Sequence, residues 1–215
     1  EAFLAARGKP PSGGGGRFAQ RYRQLKRLMP VAYVAADATN SEALLEQLFA
    51  QKEARFAETR VPGFADQPGM MAFYREATRH LLGVGLVHLC AVMAGDHPIG
   101  LLWSMQQGTR KYVLVSGYDS AQEWEKFSPG RILFDEAMKW SHEQGFAVAD
   151  FGVGDEAYKF QYCDVHITLH DAMVPVTLRG RAYAAYRRTL TWLRGTRLWQ
   201  AARPYKWVLL RGLKS

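Results

Sequence analysis

Three short stretches of this 215-residue chain carry residue types at spacings that could do chemistry. The first is Ser128-Pro129-Gly130-Arg131. Serine followed by proline commonly opens a helix, and the first backbone N–H groups of a helix, backed by its dipole, attract anions. Gly130 would let a phosphate approach the backbone, and Arg131 would add a two-pronged charge. The same residues also suit a plain capped helix, and both readings stand. The second stretch is Asp150 to Lys159, where Gly152-Val153-Gly154-Asp155-Glu156-Ala157 has the form of a dinucleotide fingerprint, with Asp171 near the place of its ribose-binding acid. Only about eight helical residues fit between this turn and the next strand, too few for the strand–helix–strand unit that the fingerprint requires. The glycines are expected instead to turn the chain sharply, leaving Asp155, Glu156 and Lys159 at a cleft or on a solvated helix start. The third is Lys52 and Arg55, three apart and so on one face of a helix.

Other chemistries find little support. His166 and His170 would share one face of a strand, but no third ligand stands at metal-like spacing, and no metal is expected. G-x-S-x-G, H-E-x-x-H and P-loop patterns do not occur. Cys90 and Cys163 lie in apolar stretches, which reads as buried free thiols in a reducing compartment. No apolar run nears the roughly 20 residues of a membrane span. Glu1-Ala2-Phe3-Leu4 does not open like a secretory leader, and a start at Glu rather than Met suits a fragment. A hydrophobic content of 48% with six tryptophans supports a packed core and excludes global disorder. The net charge of +8 is uneven: residues 1–30 carry seven Lys/Arg against one acid, 31–171 eleven against nineteen, and 172–215 ten against none. Two basic ends on a mildly acidic body suggest an anionic partner, beside the plainer reading of solvated helix faces.

These residues need elements to hold them. Residues 8–16 read as a linker, and 17–29 as a basic helix with Phe18, Tyr22, Leu25 and Leu28 at helical spacing, stopped by Pro30. Val31 to Ala36 reads as a strand. A helix capped by Asn40 or Ser41 follows, with Leu44, Leu45, Leu48, Phe49 and Phe56 as its apolar stripe. After a Pro/Gly loop over 60–69, a second helix from Met70 to Leu82 turns Phe73, Ala77 and Leu81 inward. Runs at 86–94, 99–107 and 111–118, separated by Gly95-Asp96-His97-Pro98 and Gly108-Thr109-Arg110, read as a three-strand antiparallel meander. The helix opened by Ser128 runs to Gly145, with Ile132, Leu133, Ala137 and Trp140 inward. Then come a buried strand at 146–151, a short helix near 155–161 and a strand at 164–171. The last forty residues read as helical or irregular, broken at Gly195 and Pro204. Their stripe of Tyr183, Tyr186, Leu190 and Leu193, set among Arg181, Arg187, Arg188 and Arg194, is expected to dock on the body and leave a basic face for a membrane surface or nucleic acid. The order predicts an α/β fold: a mixed sheet whose antiparallel meander feeds a crossover helix into a parallel strand, with helices on both faces.

Gln51-Lys52-Glu53-Ala54-Arg55-Phe56, Ser128-Pro129-Gly130-Arg131-Ile132-Leu133 and Asp150-Phe151-Gly152-Val153-Gly154-Asp155-Glu156-Ala157-Tyr158-Lys159, in that order and spacing, resemble the GNAT acyltransferases. More narrowly the chain resembles their CelD/BcsL-type branch, related to the FemABX aminoacyltransferases, over residues 17–180. The usual glycine-rich donor loop is present in part, as Lys126-Phe127-Ser128-Pro129-Gly130-Arg131-Ile132. The resemblance implies a GNAT-like fold and N-acyl transfer from acyl-CoA, such as acetyl-CoA, to a small or glycan-linked amine acceptor in polysaccharide or cell-envelope biosynthesis. It implies Asp155 or Glu156 as base, Tyr118 as acid for the departing thiolate, and backbone N–H groups of Val115, Ser116 and Gly117 toward the thioester carbonyl. Ser128, Pro129, Gly130 and Arg131 would surround the pyrophosphate, and Lys52, Arg55, Tyr158 and Lys159 would face the acceptor. The acyltransferase domain would span 31–178. Residues 1–30 would be a linker and basic helix left from a preceding domain, and 179–215 a basic helical extension toward an anionic membrane surface or tRNA. A cytoplasmic location, peripheral to the inner membrane, follows from the same reading. Two other readings stay open: a FemABX-like transferase that uses aminoacyl-tRNA, and a non-catalytic GNAT-like scaffold module. The acceptor, the acyl chain length and the oligomeric state are left open by the sequence.

Overall fold

The basic helix α1 (Gly15–Leu28) ends just before Pro30, whose ring and missing N–H cannot continue it. The computed structural model describes residues 15–59, 62–67, 69–170, 172–196 and 199. Most of the linker read over 8–16, together with Asp171, Arg197 and Pro204, lies outside the described residues. After α1 come β1 (Val31–Ala35), α2 (Ser41–Thr59), a 3₁₀ turn at Phe64–Asp66 and α3 (Met70–Leu81). The meander is β2 (Val87–Ala94), β3 (His97–Gln107) and β4 (Arg110–Tyr118). The one-turn helix α4 (Gln122–Glu125), then α5 (Pro129–Glu143) and β5 (Val148–Asp150) follow. The chain divides into two units after Glu156, and these elements belong to the first. The second contains α6 (Lys159–Tyr162) and α7 (Leu178–Arg194).

The five strands lie in the order β1-β2-β3-β4-β5, antiparallel up to β4, with β5 parallel to β4. This is the expected mixed sheet, with β1 added to the meander as a fourth antiparallel strand. Gly95 and Gly108 sit at φ +60° and +55° in the two hairpin turns, where a side chain would be strained.

Side-chain alternation divides the sheet between two helical layers. Leu89, Ala91, Leu101, Trp103 and Val115 pack in one core with Leu44, Leu45, Leu48 and Phe49 of α2. Trp103 is fully buried; its indole N–H donates to Thr78 Oγ of α3 at 2.8 Å, and its ring meets Tyr74 edge-on. On the opposite side Leu133 of α5 lies against Gly100, and Trp140 of α5 stacks on His88 with ring centroids 3.9 Å apart. Helix α1 is tied to α5 by the Tyr22 hydroxyl, which donates to Glu136 at 2.5 Å.

A bulge in β4 serves both layers. Trp103 faces Val115 but Ser104 faces Val113, so Leu114 has no partner opposite and is exposed. The extra residue shifts the alternation, and Lys111 and Val113 fall on the α5 face while Val115 and Gly117 fall on the α2 face. Lys111 is wholly buried there, with its Nζ 4.4 Å from the Trp140 ring centroid. Among the described residues this ammonium finds no hydrogen-bond partner. Burial holds its pKa down to about 8. His88, which shares a 2.8 Å hydrogen bond with the Tyr33 hydroxyl, is held down to about 3, first by burial and then by Lys111.

Several expectations are corrected. Phe73 is exposed, and Tyr74 and Thr78 turn inward with the expected Ala77 and Leu81. The strand read at 146–151 shrinks to Val148–Asp150 and is not buried, because it lies at the sheet edge. The helix read near 155–161 is the single turn Lys159–Tyr162. Residues 163–170 form no strand: Val165, Ile167 and Leu169 alternate as a strand would, yet all three are exposed and no neighbouring strand pairs with them. Cys163 is half-buried rather than buried, while Cys90 is fully buried, and both are free thiols.

Candidate active site

Strand β4 builds the site because β5 leaves it early. The two pair only from Arg110–Val148 to Tyr112–Asp150. Asp150 fixes that junction: one carboxylate oxygen takes the Arg110 guanidinium at 3.1 Å and the other accepts the Gly152 N–H at 2.8 Å. Gly152 and Gly154, at φ +68° and +133°, then turn the chain away, as the sequence led one to expect. From Val113 to Tyr118 the outer edge of β4 has no strand beside it among the described residues.

The register shows which groups face that opening. Asp119 donates its N–H to Ile99 O, so residues 117 and 115, in step with it, also face β3. The N–H and C=O groups of Ser116 and Tyr118 point the other way, into the opening. The Ser116 carbonyl is met there by Lys52 Nζ at 3.2 Å. Of the expected trio Val115, Ser116 and Gly117, only Ser116 presents its N–H to the opening, and Tyr118 supplies the second. Gly117 has a different use. A Cβ there would stand 3.0 Å from Leu48 Cδ1 and 3.2 Å from Gln51 Cβ, so its absence lets α2 lie close over β4.

Helix α2 thereby brings its polar side to the opening. Gln51 donates to Pro98 O at 2.6 Å. Lys52 is half-buried, and its pKa is lowered by burial first and by Arg55 second, with Glu156 acting in the opposite direction. The Arg55 guanidinium lies 6.0 Å from the Tyr118 ring centroid and pairs with Glu58 at 3.0 Å. Glu58 also accepts the Ser120 hydroxyl at 2.6 Å, and that bond, ahead of Arg55, lowers its pKa. Lys52, Arg55, Ser116 and Tyr118 are thus assembled at one edge, with the charge of Glu156 felt at Lys52. The carboxylate of Glu156 folds over Gly154, in the space that a side chain there would fill. Asp155 is exposed beside it. Gln51, Glu58 and Ser120 were not singled out by sequence reasoning; the i, i+4 and i+7 relation of Gln51, Arg55 and Glu58 was the available signal.

The turn before α5 departs from expectation in detail. Ser128 does not cap α5 with its side chain; it adopts φ 58°, ψ 61°, the one non-glycine at positive φ among the described residues. Arg131 and Ile132 both donate to Ser128 O, and Pro129 has no N–H, so the N–H that the turn presents is that of Gly130. A Cβ on Gly130 would stand 3.0 Å from the Tyr118 ring, which ties this turn to the end of β4. A side chain at 130 therefore disturbs Tyr118 as well as any anion. The Arg131 guanidinium stacks on Phe18 of α1 at 4.1 Å and lies 3.9 Å from Asp135. Tyr158 and Lys159 belong to the second unit, where Tyr158 is exposed and Lys159 is buried rather than solvated. His166 stacks on Phe160, and the described residues hold no cluster of metal-ligating groups.

Comparison with known proteins identifies the family. No curated protein matches the chain. Among solved structures, it is similar to a GNAT family acetyltransferase of Staphylococcus aureus, at 10% identity over 68% of this chain and 100% of that one, with a TM-score of 0.46. An aminoglycoside acetyltransferase from an uncultured soil metagenomic sample, in complex with trehalose, is similar at 16% identity over 68% and 97%, with a TM-score of 0.47. A predicted acetyltransferase with acetyl-CoA from Clostridium acetobutylicum is similar at 11% identity over 69% and 97%, with a TM-score of 0.43. Residues 16–160 match the family model of the acetyltransferase (GNAT) domain, a span that holds every strand of the sheet and the whole open edge of β4. The chain belongs to the GNAT acetyltransferase domain family and is an acyltransferase.

Proposed function

We propose that the chain transfers an acetyl group from acetyl-CoA to the amine of a small or glycan-linked acceptor at the open edge of β4. The observation that carries this reading is the pair of N–H groups of Ser116 and Tyr118, aimed into an opening bordered by the cations of α2 and the carboxylate of Glu156. In such a reaction the amine nitrogen attacks the thioester carbon and the C–S bond breaks. The carbonyl oxygen gains negative charge on the way, which two fixed N–H donors stabilise. Glu156, with Asp155 beside it, takes the proton from the amine, and the Tyr118 hydroxyl gives one to the departing thiolate. The pyrophosphate rests at Gly130, flanked by Ser128, Pro129 and Arg131, with the Tyr118 ring joining this turn to the reacting edge.

Lys52 and Arg55 favour an acceptor that carries negative charge near its amine, since a polycation would be repelled by both. The polysaccharide or envelope setting implied by the CelD/BcsL-type resemblance belongs to this proposal and is supported by the three matching segments alone.

A calorimetric titration of acetyl-CoA against acetyl-pantetheine, the same thioester without the 3′-phosphoadenosine diphosphate portion that carries the pyrophosphate, tests the assignment. Acetyl-CoA is expected to bind at least about 100-fold more tightly, on the scale of two charge-assisted hydrogen bonds. Equal affinity for the two would remove the pyrophosphate from the Gly130 turn.

A further inference from the structure

The second unit contains a helix that leaves an apolar half largely exposed beside equally exposed arginines. Projected at about 100° per residue, α7 places Leu178, Tyr183, Tyr186, Leu190, Trp192 and Leu193 on one half of its circumference. Arg181, Arg187, Arg188 and Arg194 fall on the other half, and Arg179 lies in the first turn on the apolar side. Tyr183, Tyr186, Trp192 and Leu193 are exposed, and the residue that α7 buries is Ala184, on the arginine side at 8% exposure. There Ala184, Arg187 and Arg188 line a groove of about 910 Å³ with Ala172 and Met173, and Trp192, at the border of the two halves, lines it too. The strip leading into the helix is apolar and exposed too, with Val174 83% and Val176 90% exposed.

We infer that the apolar half of α7, with Val174 and Val176 before it, seats on an anionic phospholipid surface. An exposed half-circumference of aromatic and aliphatic side chains, bordered by arginines with no acid on the helix, is the composition of an element lying in a bilayer interface. Tyr183, Tyr186 and Trp192 suit the headgroup level, and the arginine stems reach back to the phosphates from the margins. Charge complementarity sets the sign of the lipid: residues 172–215 carry ten Lys/Arg and no Asp or Glu. RNA would match the charge and the aromatics, but Val174, Val176 and Leu178 offer it neither stacking nor hydrogen bonds, whereas a bilayer uses them. Among the described residues no helix is long and apolar enough to cross a membrane, so the contact is with the surface. This inference does not rest on the proposed chemistry.

Co-sedimentation of the full chain with phosphatidylcholine vesicles, with and without phosphatidylserine, tests it. Binding is expected only with phosphatidylserine and should fall steeply as salt rises. The double variant Arg187→Gln/Arg188→Gln should weaken it about 30-fold, near the combined effect of two basic residues at a charged surface. Val176→Ser, in a non-helical exposed position that leaves the fold undisturbed, should weaken it as well, which an RNA-binding role would not require. No vesicle binding at low salt, binding indifferent to phosphatidylserine, or tighter binding to structured RNA with Val176→Ser silent would each overturn the inference.

Discussion

Replacing Glu156 by Gln is expected to lower kcat by about 10²- to 10⁴-fold while leaving acetyl-CoA affinity unchanged. The substitution keeps the side chain's size and its place over Gly154, and removes its negative charge and with it the capacity to take a proton. Glu156 follows the turn made by Gly152 and Gly154, and its charge reaches Lys52 on α2. A base on that side can meet an acceptor amine that approaches the thioester from the helix side of β4. Asp155→Asn is the companion: exposed and next in sequence, it should cost less if Glu156 is the base. Steady-state kcat and KM, with the donor Kd measured separately, distinguish loss of chemistry from loss of binding. An unchanged kcat in Glu156→Gln, with the larger loss in Asp155→Asn, would move the base by one residue.

The second large effect is a gain. Lys111→Met is expected to raise stability by about 1–3 kcal/mol at neutral pH. The ammonium is wholly buried without a hydrogen-bond partner among the described residues, held only against the Trp140 ring. Its pKa falls from 10.5 to about 8 on folding, chiefly through burial. Between those values the unfolded chain binds more protons than the folded one, so stability rises with pH across that window. Below about pH 8 the penalty is present in full, on the order of 3 kcal/mol at roughly 1.4 kcal/mol per unit. Above 10.5 it is absent. Met keeps the length of the chain and fills the space without charge, so the variant should melt higher and lose the slope across that window. His88 works in a lower window. Its imidazole is held from 6.5 down to about 3, so stability falls as pH drops through that range, and Lys111→Met should ease this fall because Lys111 is the second cause. Chemical unfolding at several pH values reads both. An unaltered slope in the variant would show that water reaches the Lys111 amine.

The parts of the fold that were legible in the sequence are those governed by local rules. The apolar periods of α2 and α5, the glycine turns at Gly95 and Gly108, and the positive-φ pair Gly152 and Gly154 could all be read from neighbours a few residues apart. What escaped depends on partners far along the chain. Val165, Ile167 and Leu169 alternate like a strand, but alternation supplies only one side of a ladder, and no second strand among the described residues takes it up. The bulge at Leu114 leaves no mark in Val113-Leu114-Val115, yet it decides that Lys111 is buried and that Ser116, not Val115 or Gly117, faces the opening. Ser128 has the composition of a cap and the conformation of a left-handed turn, because the close approach of Gly130 to Tyr118 sets the path of the chain there. Within the candidate site, the fold brings Lys52, Arg55 and Tyr118 to one edge of β4, with the charge of Glu156 felt at Lys52. The helix spacing of the first pair was visible, and the meeting of that pair with β4 required the close packing that Gly117 permits.

Release of free coenzyme A thiol from acetyl-CoA, followed against a panel of amines that differ in neighbouring charge, tests the central claim most directly. Thiol release is expected to depend on the amine and to be fastest for acceptors with a carboxylate or phosphate near it. One acetyl group on the acceptor nitrogen is expected for each thiol released. Thiol release independent of any amine, or acetyl-CoA binding without transfer to a panel that includes such acceptors, would contradict it.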